Sequence, residues 1–302
     1  MPGLITHYLG GQSALEILSP HIRDDIKQAE NLFNLGTQGP DIFFYYVNGF
    51  LTKRIRGVGS QMHSADLGLF FIEVADIKCP LVFAYTAGFL AHYAVDAHTH
   101  PYVFAQTYNP PKPALKEAGR HRHFETSVDV LMLARIKNKK PNDYNLAQLL
   151  TPENNHKNEV AIDTAEAISK IYNKDIRPRD VYRAMGQMAS NTRRLQSKTG
   201  RRKRWLGNVE NLILRVRVLS ALTHMQEVTE DRDFLNLGKA EWSPPWAKDE
   251  INNESFVELF DAAVADAAQM IEALYEYIKG SIPKEELAAS IQNRSLTTGK
   301  NP

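Results

Sequence analysis

Residues 88–103, GFLAHYAVDAHTHPYV, place three potential metal ligands one helical turn apart. If the stretch is helical, His92, Asp96 and His100 lie at i, i+4 and i+8 and therefore on one face. The residues between them are largely apolar, which predicts that the helix is buried. A carboxylate and two imidazoles in such a helix need partners or a metal ion to offset their desolvation. The pattern therefore indicates a buried metal site.

A second stretch with the same spacing lies at residues 115–137. His121, Glu125 and Asp129 fall at i, i+4 and i+8 of a predicted helix. A histidine followed four residues later by a carboxylate lets two side chains of one turn reach a cation at about 2.0–2.2 Å. Because this pair occurs on two stretches, the sequence favours a metal site to which both contribute.

Three more candidates come from separate segments: His7, Asp41 and His63. Each is predicted beside a turn or an element end, where a side chain can be aimed at a site without disturbing a helix. Taken singly, each histidine is more often a buried side chain bonded to a backbone carbonyl. The other histidines are interpreted as supporting, structural or solvated side chains: His21, His98, His123, His156 and His224.

Composition limits the kinds of site that this chain can carry. The 302 residues have a net charge of +1, which selects no class of partner, and the one cysteine, Cys79, excludes disulfide frameworks and thiolate zinc clusters. The metal ligands must therefore be histidines and carboxylates. The start, MPGLITHYLGGQ, lacks the features of a signal peptide, and no apolar run reaches membrane-spanning length. We expect a cytoplasmic protein.

Helical periodicity recurs along the chain and strand patterns are nearly absent, which predicts an all-α fold. Pro101 disfavours helical geometry at His100, so the central helix is predicted to end there. We expect one multi-helix domain over residues 1–292, and a polar flexible tail at residues 293–302. Of roughly ten helices, the placed ones lie near residues 13–18, 21–32, 64–76, 88–103, 115–137, 161–172, 178–196, 208–230 and 255–279.

The candidate ligands also occur in a characteristic order along the chain. That order, together with the segments THYLGG, GPD and the His-Tyr of the central helix, resembles the zinc-dependent phospholipase C family over about residues 2–129. This family is related to the fungal single-strand-specific zinc nucleases, is all-helical and binds three zinc ions in a cleft. The ordered set is His7, Asp41, His63, His92, Asp96, His100, His121 and Glu125.

The resemblance implies an all-α, multi-helix single domain with a polynuclear metal cleft, in which these ligands are distributed over two to three zinc ions. It implies that one ion is held by Asp41, His63, His92 and Asp96, a second by His100, His121 and Glu125, and a third by His7 and Asp96, with Asp96 as a bridge. Secreted members complete the third site with an N-terminal Trp, whereas this chain begins Met-Pro, so the amine of Pro2 would have to serve. The secreted members also use a longer spacing after the bridging aspartate, which leaves His98 as an alternative to His100.

Such a site implies zinc-dependent hydrolysis of phosphodiesters. Zinc ions a few Å apart can lower the pKa of a shared water and neutralise charge on phosphoryl oxygens. The first expectation is phospholipase C-like cleavage of phospholipids by a metal-activated water, with Asp41 as the general base or as a plain zinc ligand. One alternative is a phosphodiesterase or nuclease acting on another substrate. The other is a metal-binding family member without catalysis.

Two further segments have alternative interpretations. The basic run from Arg193 to Arg204 is most simply a solvated helix end, but it could contact anionic membrane or nucleic acid together with Trp205. The segment from Trp242 to Trp246 is either a packed loop, the simpler interpretation, or a lid over the cleft. No obligate protein partner is evident from the sequence.

Overall fold

The computed structural model describes residues 3–46, 54–108, 114–195 and 227–302. Within these ranges the chain forms twelve α-helices, two short 3-10 helices and a single isolated β-bridge between Trp242 and Asn252, and no strand. The helices surround one continuous hydrophobic core. The predicted all-α single domain is therefore confirmed.

The helices α1 to α12 are Leu4–Ile17, Pro20–Lys27, Glu30–Gly36, Val58–Ser64, Leu67–Ala75, Pro80–Thr107, Ala114–Lys137, Leu146–Leu149, Asn154–Tyr172, Pro178–Leu195, Phe256–Lys279 and Lys284–Ile291. The 3-10 helices are Gly39–Phe43 and Pro141–Asp143. None of the helices in the described ranges has the length and apolarity needed to cross a membrane.

Helix α6 is the central element, and it contacts α1, α2, α3, α5, α7, α9 and α11. It runs through Pro101 to Thr107, so the prediction that it ends at His100 was wrong. Proline has no N–H, and its presence leaves the carbonyl of Ala97 without its helical donor. Neighbouring helices bury α6 along most of its length, and this packing maintains the helix across the irregularity.

The first helix begins well before the predicted position near residue 13. Its N-terminal turn is stabilised by the carboxylate of Asp129 on α7. That carboxylate accepts hydrogen bonds from the N–H groups of Ile5 and Thr6, at 3.2 and 2.8 Å, and from the Thr6 hydroxyl at 2.7 Å. Asp129, the third residue of the i, i+4, i+8 set on α7, thus caps the N-terminus of α1 and belongs to none of the groups of candidate metal ligands.

The segment around His63 also differs from the prediction. One helix at residues 64–76 was expected, but α4 begins at Val58 and α5 at Leu67. Asp66 separates them with a left-handed backbone (φ 62°). His63 therefore lies in the last turn of α4, and it does not begin the following helix.

The predictions at residues 115–137, 178–196 and 255–279 fall close to α7, α10 and α11. The helix predicted at 21–32 is divided between α2 and α3, and the one predicted at 161–172 begins earlier, at Asn154. Helix α11 begins with a capping box. The Ser255 hydroxyl accepts a bond from the Glu258 N–H, and the Glu258 carboxylate accepts one from the Ser255 N–H. Two predictions lie largely outside the described residues: the helix at 208–230, whose last four residues are not helical, and the basic run after its first residues.

The C-terminal residues are packed against the protein, which corrects the expectation of a flexible tail. We call residues 293–300 the strap. Leu296 is fully buried, and its N–H donates to the carbonyl of His63 at 2.9 Å. The Ser295 N–H donates to the carbonyl of Lys300 at 2.8 Å, which closes a compact turn. A polar composition suggested fraying, but a buried leucine and these backbone bonds hold the strap in place.

Candidate metal centre

The carboxylate of Asp96 lies at the middle of a group of imidazoles. Its Oδ2 is 3.1 Å from His92 Nε2 and 3.7 Å from His63 Nε2. Its Oδ1 is 3.3 Å from His7 Nε2 and 3.7 Å from His100 Nε2. Because each oxygen faces a different pair of rings, Asp96 has the geometry of a bridging carboxylate.

Backbone carbonyls orient three of these rings. His92 Nδ1 donates to the carbonyl of Thr37 at 3.1 Å, and His63 Nδ1 donates to that of Gly59 at 2.7 Å. His100 Nδ1 donates to the carbonyl of Leu296. A proton held on Nδ1 leaves the Nε2 lone pair directed at the centre, which is the arrangement found around ligating histidines.

His7 and Asp41 complete the group, which we call the central cluster: His7, Asp41, His63, His92 and Asp96. The ring of His7, in the first turns of α1, stacks on that of His92 with centroids 3.9 Å apart. Asp41 lies in the 3-10 helix Gly39–Phe43, and its Oδ1 is 3.2 Å from His63 Nε2. These residues come from four elements, as their separation in the sequence required.

Gly39, the first residue of the GPD segment, lies directly against one of the candidate ligands. Its φ is +48°, and a Cβ there would lie 2.4 Å from Cδ2 of His92. Only glycine allows both this backbone conformation and the close approach. Gly39 thus lets the Asp41 turn reach the central cluster.

The second group, the cleft cluster, consists of His100, His121 and Glu125. His121 Nε2 is 2.7 Å from Glu125 Oε1 on the same face of α7, and the His100 ring lies 6.0 Å from the His121 ring. His121 Nδ1 donates to the Thr107 hydroxyl at 3.1 Å, because that hydroxyl itself donates to the carbonyl of Val103. Sequence reasoning missed Thr107, which no spacing rule distinguishes.

Burial and neighbouring groups lower the pKa values of Asp96, His92 and His100. Burial raises the pKa of Asp96, but interactions with His100, His92 and His7 outweigh it and hold the pKa well below its usual range. Burial lowers the pKa of His92, and that of His100 falls well below its usual range. Lowered pKa values favour an ionised Asp96 carboxylate and neutral His92 and His100 rings, and a metal ion binds ligands in these forms.

Burial and neighbouring charges shift the pKa values of His63 and Glu125 in opposite directions. Burial lowers the pKa of His63, but the carboxylates of Asp41 and Asp96 outweigh burial and raise it. Burial lowers the pKa of His121 and raises that of Glu125, whose pKa nevertheless falls because of His121 and the positive charge of Arg122. The carboxylates thus attract positive charge to both clusters.

The burial and separation of the candidate ligand atoms indicate whether a metal ion would fit between them. Six candidate ligands have buried ring nitrogens or carboxylate oxygens that make no hydrogen bond of normal geometry within the described part of the chain. They are His7, Asp41, His63, His92, Asp96 and His100. Buried polar atoms are rarely left unsatisfied. Three groups have ligand atoms within 4.8 Å of one another: His7, Asp41 and His92; His63, His92 and Asp96; His100, His121 and Glu125. Nitrogen and oxygen donors at such separations fit zinc ions.

An open cleft of about 360 Å³ leads to the two clusters. Its wall includes the aromatic rings of Phe44, Phe104 and Tyr108 and the partly buried side chain of Arg122. The candidate ligands that also line it are His63, His100, His121 and Glu125. Both an apolar group and an anion could therefore be accommodated beside the cleft cluster.

Two other histidines of the ligand helices lie elsewhere. His98 Nε2 is 2.9 Å from Asp266 Oδ2, and His123 Nε2 is 2.6 Å from Glu230 Oε1. Of the two residues considered at the end of the central helix, the structure brings His100 to the clusters and directs His98 toward α11.

The segment from Trp242 to Trp246 is packed against the protein, and its Trp246 end lies near the cleft. Trp242 is buried, and its ring N–H donates to the carbonyl of Glu254. Trp246 is 39% exposed, and its ring meets that of Phe104, a cleft residue, edge to face at 5.5 Å. The loop therefore contributes to the outer wall of the cleft.

Comparison with known proteins identifies one family. A family model described as zinc dependent phospholipase C matches residues 6–186, more than half of the chain. The match covers every candidate ligand from His7 to Glu125. Comparisons with curated proteins and with solved structures give no match.

Proposed function

This chain belongs to the zinc-dependent phospholipase C family, and we propose that it is a zinc-dependent hydrolase of phosphodiesters that cleaves phospholipids in the manner of a phospholipase C. The observation that carries the proposal is the convergence of buried, otherwise unsatisfied nitrogen and oxygen atoms around Asp96. Such atoms destabilise a fold unless a cation compensates them. The family match supports zinc as that cation.

The proposed ligands follow the two clusters. Asp41, His63, His92 and Asp96 would hold one zinc ion, and His100, His121 and Glu125 a second. His7 and the Oδ1 of Asp96, 3.3 Å apart, offer two donors to a third. We propose two to three ions, of which the third depends on a further ligand.

The reaction assigns distinct tasks to this chain's residues. Zinc, when bound, lowers the pKa of a coordinated water toward about 7 and neutralises phosphoryl charge. Asp41 would bind the metal and accept the proton of the attacking water through its carboxylate. Arg122, whose charge already lowers the pKa of His121 and Glu125, would neutralise a phosphoryl oxygen from the cleft wall.

The wall of the cleft supports a phospholipid substrate. Phe44, Phe104 and Tyr108 supply apolar surface next to the positive charge of Arg122, a combination that suits a phosphate ester with an apolar neighbour. The cleft volume of about 360 Å³ lies in the range of small-molecule binding sites. Contact of the basic run that begins at Arg193 with anionic membrane is proposed from the sequence alone.

Replacing Arg122 by glutamine should lower kcat/KM for phospholipid by about 10- to 150-fold, the value of a hydrogen bond to a charged group. Zinc content should not change, because Arg122 belongs to neither cluster. Arg135→Gln is the matched control, since Arg135 is exposed on the same helix. Hydrolysis of liposomes would be measured for all three proteins.

The same assays distinguish the candidate substrates. Liposome hydrolysis that exceeds cleavage of single-stranded nucleic acid would support the phospholipase assignment, and the reverse order would replace it with a nuclease. An Arg122→Gln protein with full activity on phospholipid would contradict the proposed role of this side chain. A zinc-loaded protein that cleaves no phosphodiester would indicate a non-catalytic member of the family.

A further inference from the structure

The strap contacts the metal centre at several points. The carbonyl of Leu296 accepts the Nδ1 proton of His100, and the N–H of Leu296 donates to the carbonyl of His63. The Ser295 hydroxyl lies 3.3 Å from the same His63 carbonyl, and Thr297 lines the cleft. Two candidate ligands from different helices are thus connected to one short segment.

The strap is seated where the central helix is irregular. Pro101 leaves the carbonyl of Ala97 without a helical donor, and Gly299 lies directly against this carbonyl. A Cβ on Gly299 would be 2.3 Å from the Ala97 oxygen, and its φ is +68°. Bonds within the strap fix this position, because the Gly299 N–H donates to the carbonyl of Ser295 at 2.9 Å.

Burial, ion pairs and a backbone hydrogen bond hold the strap against the rest of the protein. Leu296 is fully enclosed in the core, and the Lys300 ammonium forms an ion pair with Glu250. The N–H of Arg294 donates to the Tyr93 hydroxyl at 2.7 Å, and its guanidinium lies 2.7 Å from Asp266. Residues far apart in the chain therefore determine where the Leu296 carbonyl lies.

We infer that the strap is a positioning element of the metal centre, without which His100 is not held in ligand geometry and the zinc ion of the cleft cluster binds weakly. The inference rests on the proposed zinc site. Its effect falls on the cleft cluster because the ring of His92 is oriented by Thr37 and that of His63 by Gly59, whereas His100 depends on Leu296. The family match ends at residue 186, so the strap lies outside it.

The test is a zinc titration of the full-length protein against a competing chelator, with helical circular dichroism in parallel. Gly299→Ala introduces a side chain that must displace the strap from Ala97. Gly280→Ala is the matched control, since Gly280 also has positive φ (+81°) but open space around its Cβ. Deletion of residues 298–302 removes the Lys300 carbonyl that closes the strap and the contact of Gly299 with Ala97, without introducing a side chain. This variant decides the outcome if Gly299→Ala fails to fold.

Both strap variants should bind one zinc equivalent about 10- to 100-fold more weakly, the usual effect of losing the partner that orients a ligand. The remaining zinc and the helical signal should match those of the wild type and of Gly280→Ala. Unchanged affinity for every ion would overturn the inference, as would equal loss of all ions together with helical signal. A wild-type protein that binds no zinc would instead overturn the proposed function.

Discussion

Replacing Asp96 by asparagine is expected to remove zinc from the two sites proposed to share its carboxylate and to lower the melting temperature of the same protein. One of these sites is formed with Asp41, His63 and His92, and the other with His7. Asp96 is fully buried, and its two oxygens face different pairs of imidazoles. Asparagine keeps the shape but removes the negative charge that attracts the cations. Because metal binding at a buried site also contributes to folding, metal and stability should be lost together.

The expected cost in stability is about 3–5 kcal/mol, the range for removing one partner of a buried charged group, which corresponds to a Tm lower by roughly 6–20 °C. Zinc content and Tm would be measured on the same preparation. Asp180→Asn is the control for zinc content, because Asp180 is also a buried carboxylate but faces Arg54 at 3.9 Å and belongs to neither cluster. This variant should keep its zinc even if its Tm falls. An Asp96→Asn protein with full zinc and wild-type Tm would show that Asp96 does not bridge the ions.

Replacing Asp41 by asparagine should reduce turnover far more than zinc content. The asparagine oxygen can still serve as a ligand, and His63, His92 and Asp96 would retain the ion. It cannot accept a proton, so the rate should fall by about 10²- to 10⁴-fold, the contribution of a general base. Hydrolysis of a soluble phosphodiester and zinc content would be measured side by side.

Glu117→Gln provides the comparison for this prediction, since Glu117 lines the cleft but belongs to neither cluster. Its kcat should remain close to that of the wild type. If Asp41→Asn loses zinc in proportion to activity, Asp41 is a plain ligand. If Glu117→Gln has the larger loss in kcat, the proton acceptor is on the cleft wall.

The sequence predicted the all-α fold and the group of residues that converge in space. This succeeded because a histidine and a carboxylate four residues apart lie on one face of any regular helix, wherever that helix packs. The His92 and Asp96 pair on α6 and the His121 and Glu125 pair on α7 therefore needed no tertiary information. Their assignment to particular zinc ions remains a proposal.

Long-range contacts explain what the sequence did not reveal. Asp129 caps the first helix from more than 120 residues away, so no local pattern marked the start at Leu4. The central helix continues through Pro101 because the surrounding helices bury it. Leu296 is one apolar residue in a polar stretch, yet it anchors the strap in the core. Such contacts depend on the complete fold and leave little trace in local periodicity.

Zinc content tests the central claim most directly. Protein purified without chelator should contain at least two zinc ions per chain, because the two clusters supply separate sets of nitrogen and oxygen ligands. Elemental analysis would give this number without reference to any substrate. Less than about half an equivalent per chain, not restored by added zinc, would contradict the assignment of the two clusters as zinc sites.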